Sequence, residues 1–96
     1  MTRLERRCEQ LLRTSAAGTG VSLTVSTTKQ RPWASALFVG VHMRIALTSD
    51  DDGRFDEWLA VLPEIELPLC DHFVADAEVI ERSANAATIE LLLIEG

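Results

Sequence analysis

The sequence predicts an α+β fold: a two-layer sandwich of order αββαββ, with a four-stranded antiparallel sheet and two helices on one face. Three observations predict it. Two segments carry apolar residues at helical spacing. Four segments alternate with period two or run nearly apolar throughout. Glycine, proline, aspartate and asparagine fall between them.

The first helix is expected over residues 3–16. Thr2 and Glu5 form a capping-box pattern. Leu4, Cys8, Leu11, Leu12 and Ser15 then share one stripe, while Arg3, Arg6, Arg7, Gln10 and Arg13 lie off it. Gly18, with Gly20 close behind, is expected to stop the helix, since glycine accepts the left-handed conformation that ends helices.

Strand 1 is read from Val21, Leu23 and Val25 alternating with Ser22, Thr24 and Ser26. Residues 28–34 read as a polar connection that Pro32 interrupts, with Trp33 as either an exposed anchor or a lid on the core edge. Strand 2 is expected over 35–48. Leu37, Val39, Val41, Met43, Ile45 and Leu47 would face the core, and Phe38, His42 and Arg44 would face away. Asp50, Asp51, Asp52 and Gly53 read as a turn, with Asp52 as helix cap. Phe55, Trp58, Leu59 and Leu62 define a second helix over 54–62.

The last two strands, 72–82 and 86–95, form a hairpin whose register can be argued. Val79 opposite Ile89, Ala77 opposite Leu91 and Ala75 opposite Leu93 give one apolar face. Ser83, Ala84 and Asn85 are then the loop, with Asn85 suited to positive φ. A shift by one residue would bury Glu78.

The order αββαββ is similar to a circularly permuted ferredoxin-like arrangement, which implies strand order 3-4-2-1. Strands 2 and 4, the most apolar, would then lie in the middle. That fold hosts many unrelated activities, so the likeness implies no function.

Length bounds the chain to one domain, residues 1–96. An apolar fraction of 47% with 25% charged residues suits a globular core without staples. Cys8 and Cys70 form no CxxC pair and fit reduced thiols in a cytoplasmic protein. No apolar run is long enough for a membrane span, and the N-terminus lacks the apolar stretch of a secretory signal.

Charge is divided along the chain. Residues 1–44 carry a formal +5 and residues 45–96 a formal −11, for a net −6. Such a chain can satisfy itself internally, pair with copies of itself, or show two faces to partners. The acidic total argues against nucleic-acid binding, and the basic helix face (Arg3, Arg6, Arg7, Arg13) reads as solvated.

The candidate site is the open sheet face: Phe38, His42, Arg44, Asp76, Glu78, Glu90, Leu92 and Ile94, with Val74, Ile80 and Thr88 beside them. Glu78 opposite Glu90 is a like-charge pair that needs compensation, for which Arg44 or His42 is the natural source. The apolar members make the face an expected interface. The weaker motifs read as structure. The aspartate run lacks the alternation of a calcium loop, Gly18-Thr19-Gly20 lies on the wrong side of a helix for phosphate, and Cys70-Asp71-His72 is defined only by sequence adjacency.

The expectation is therefore a non-catalytic module that self-associates as a homodimer or ring through its sheet face. It would need no cofactor and no metal, touch no nucleic acid or membrane, and pair with itself or with an unidentified protein. The alternatives are a small-molecule binder or small enzyme using the carboxylate, arginine and histidine cluster, or a component of a larger phage-like assembly.

Overall fold

A computed structural model describes residues 2–50 and 52–96, and of Asp52 the backbone alone. The expected reading of Asp51 as turn and of the Asp52 side chain as helix cap lies outside the described residues.

Helix α1 spans Arg3–Ala17. Thr2 caps it, its Oγ1 accepting from the Glu5 N–H at 3.1 Å. Cys8, Leu12 and Ala16 are buried, and Leu4 and Leu11 pack against the same core. The helix ends at Gly18, which keeps helical φ. The left-handed residue is Gly20, φ +82°. The stop thus falls at Gly18 as expected while the left-handed conformation lies two residues on, and Val21 N–H closes the turn onto Ala16 C=O at 2.9 Å.

Four strands follow: β1 Leu23–Ala34, β2 Val39–Ser49, β3 His72–Arg82 and β4 Ala86–Glu95. They form one antiparallel sheet of order β1-β2-β4-β3, so β2 and β4 are central and β1 and β3 are edges. Helix α2, Asp52–Ala60, leads into a short 3₁₀ turn at Leu62–Glu64, where Pro63 ends regular helix. Phe55, Trp58, Leu59 and Leu62 all reach the core, as their spacing requires. That core joins both helices to one face of the sheet, through Met43, Ile45 and Leu47 of β2 and Ile89, Leu91 and Leu93 of β4.

The first hairpin corrects two expectations. Residues 28–34 are strand, paired with β2 as far as Ala34 opposite Val39. Pro32 is accommodated because β1 is an edge. The turn is Ser35 to Phe38, closed by Ser35 N–H onto Phe38 C=O at 2.8 Å and Phe38 N–H onto Ser35 Oγ at 3.2 Å. Leu37 and Phe38 therefore lie in the turn, outside β2, and Leu37 is 85% exposed instead of core.

The second hairpin keeps its expected strand bounds and the pairs Val79–Ile89, Ala77–Leu91 and Glu78–Glu90. Two bulges alter its ends. With Ala75 unpaired, Val74 and not Ala75 sits opposite Leu93, so Val74 joins the core side and Phe73 sits opposite Ile94. With Ile80 unpaired, Glu81 takes the place opposite Thr88. Asn85 has no positive φ; its carbonyl instead accepts from Ser49 N–H at 2.8 Å. Arg82 fastens this loop, donating to the carbonyls of Ser83 and Ala86 and pairing with Asp56 of α2. Its guanidinium lies 4.8 Å from the Phe55 ring centroid.

Candidate functional site

The face of the sheet turned away from the helices is built from rows of residues in register. A third bulge, at Thr28 in β1, decides its composition. Up to Thr27, opposite Ile45, the odd-numbered residues of β1 face the core. After it, Lys29, Arg31 and Trp33 fall opposite Arg44, His42 and Gly40. One extra residue has moved the odd positions to the open side.

The rows then read across β1, β2, β4 and β3. Lys29, Arg44, Glu90 and Glu78 form the central row. Arg31, His42, Leu92 and Asp76 form the next. Trp33, Gly40, Ile94 and Phe73 lie beyond them, near the first hairpin's turn. The division of charge along the chain has become a gradient across the sheet, because β1 and β2 come from the basic half and β3 and β4 from the acidic half.

At the boundary, Arg44 Nη2 donates to Glu90 Oε2 at 3.1 Å. His42 Nδ1 lies 3.6 Å from Glu90 Oε1, too far for a hydrogen bond, and this buried nitrogen has no hydrogen-bond partner among the described residues. Arg44 thus compensates Glu90, the member of the Glu78–Glu90 pair that it reaches. Lys29, Arg31, Asp76 and Glu78 form no ion pair among the described residues.

Of the predicted site residues, His42, Arg44, Glu78, Glu90, Leu92 and Asp76 come together. Ile94 shares their face but is 4% exposed, and Phe38 stands apart in the turn, 49% exposed. Lys29, Arg31, Trp33 and Phe73 belong to the face and were not anticipated. A signal for three of them exists: Lys29, Arg31 and Trp33 alternate with Thr28, Gln30 and Pro32, the period of a strand.

Lys29, Arg31, His42, Arg44 and Glu90 enclose a hollow of about 20 Å³. Separately, a groove of about 320 Å³ is lined by Arg3, Leu4 and Arg7 of α1 and by Leu69, Cys70, Asp71 and His72. Cys70 is exposed there, whereas Cys8 is sealed in the core, where burial and then the Glu9 charge push its thiol up from 9.0 to about 11. Among the described residues no three His, Cys, Asp or Glu side chains converge as metal ligands, and no helix is long and apolar enough to cross a membrane.

No protein-family model matches the chain, and no curated protein matches it in sequence.

Proposed function

We propose that the chain is a small non-catalytic interaction module that self-associates through the open face of its sheet. The observation that carries this reading is the central row, Lys29–Arg44–Glu90–Glu78. Its inner pair is satisfied within the chain. Its outer members are left beside like charges, an arrangement that costs stability in an isolated sheet. The apolar members, half-exposed Leu92 and exposed Phe73, add surface that gains from being covered.

A small-molecule site at the same cluster is the second reading. The hollow there holds roughly one water, while small-molecule pockets measure about 300–1,000 Å³. Its size favours a surface that meets another surface. The order αββαββ with strand order β1-β2-β4-β3 supports a circularly permuted ferredoxin-like fold, which carries no activity of its own.

Sedimentation of wild-type protein and Leu92→Asp tests the reading. Wild type is expected to sediment as an oligomer and Leu92→Asp to dissociate while keeping its circular dichroism spectrum. A monomeric wild type at high micromolar concentration overturns the proposal.

A further inference from the structure

The charge gradient also specifies how two copies would meet. We infer that the second copy lies face to face on the first about a two-fold axis running parallel to the strands, between β2 and β4, so that β1 of each chain covers β3 of the other. The inference rests on the self-association reading and adds its geometry.

Two in-plane axes can bring identical sheet faces together. An axis across the strands places β1 over β1 and β3 over β3, basic on basic and acidic on acidic. An axis along the strands exchanges the two edges and keeps each row in its own row. Lys29 then meets the partner copy's acidic edge at Glu78, and Arg31 meets it at Asp76. Among the described residues, none of these side chains forms an ion pair in its own chain. Like charges set against each other across an interface oppose association, so the choice of axis is biased towards the second arrangement.

The uncharged positions agree. The same rotation sets half-buried Trp33 of β1 over exposed Phe73 of β3. Aromatic pairs at a desolvated contact are favourable beyond their area. The contact is isologous and closes at two copies, so it yields a dimer and no filament. Edge-to-edge pairing is the competing route to self-association, and both edges are blunted against it. β1 carries Pro32 and a bulge, and β3 carries two bulges.

Charge reversal separates the orientation from the underlying reading, with molar mass followed across a dilution series. Lys29→Glu with Arg31→Glu should weaken the dimer at least about tenfold, since both copies now present acid to acid. Adding Asp76→Lys and Glu78→Lys to the same chain should restore it, because the gradient is then inverted as a whole. A double reversal that dimerises as tightly as wild type overturns the two-fold orientation and leaves the sheet-face contact standing, provided Leu92→Asp still dissociates. A wild type that is monomeric, or a dimer that Leu92→Asp does not disturb, overturns the sheet-face reading and this geometry with it. The four charge-reversed residues are exposed and Leu92 is half-buried, so folding of each variant is checked by its circular dichroism and urea midpoint.

Discussion

The Glu9 carboxylate of α1 reaches across to β1 and takes both donors of Thr27, the backbone N–H at 3.0 Å and Oγ1–H at 2.7 Å, through the same oxygen, Oε2. Thr27 is the last residue before the bulge that turns Lys29, Arg31 and Trp33 to the open face. A buried acid in the helix therefore pins the register on which the basic half of that face depends. Glu9→Ala leaves the Thr27 N–H without its acceptor, and the expected cost is about 1.5–3 kcal/mol in urea unfolding. Glu9→Gln keeps an acceptor without the charge and should lose about half as much. An unchanged urea midpoint for Glu9→Ala would show that the bulge holds without it.

Arg44 sits beside two carboxylates that face one another on β3 and β4. Arg44→Met should cost about 0.5–1 kcal/mol, a modest figure because the pair is partly exposed. Adding Glu78→Gln should return most of that loss, since the remaining repulsion is removed. A double-mutant cycle in urea, run on dilute protein in high salt to suppress association, reads the coupling. Additive effects would mean that the glutamates do not sense each other.

Gly20 has φ +82°, and a Cβ there would collide with the Arg54 guanidinium. The backbone conformation therefore selects glycine, while the guanidinium, at the end of a flexible side chain, can move aside. Gly20→Ala is expected to cost about 1–3 kcal/mol by thermal or urea unfolding. Gly18→Ala, at helical φ and without a tight neighbour, should be neutral or mildly stabilising.

The two thiols should behave differently. At pH 8 a disulfide exchange reagent is expected to modify exposed Cys70 at once and buried Cys8 only as the protein opens. Burial, and then the Glu9 charge, hold the Cys8 thiol protonated up to about 11. Its contribution to stability is therefore complete below 9.0, its ordinary value, and is lost as pH rises through about 11. Cys8→Ala should lack that alkaline slope in urea midpoints measured across this window. An identical slope in both proteins would refute the assignment.

What could be read in the sequence was the part where a period is kept. α1, the apolar stripe of α2, the bounds of β3 and β4 and the central pairs of the second hairpin all follow from spacing. What could not be read were single-residue irregularities. Bulges at Thr28, Ala75 and Ile80 carry no compositional mark, yet each exchanges one face for the other. They bring Lys29, Arg31, Phe73 and Glu81 opposite open-face residues and remove Val74. The far half of β1 was also hidden by its polarity and by Pro32, both of which an edge strand tolerates.

The central claim is that the open face is covered by a second copy. Light scattering at low and high salt addresses it most directly. Twice the chain mass of 10.6 kDa is predicted at low salt, with dissociation promoted as salt shortens the Debye length from about 10 Å at 0.1 M to about 3 Å at 1 M. A mass of one chain at every salt concentration would contradict the account.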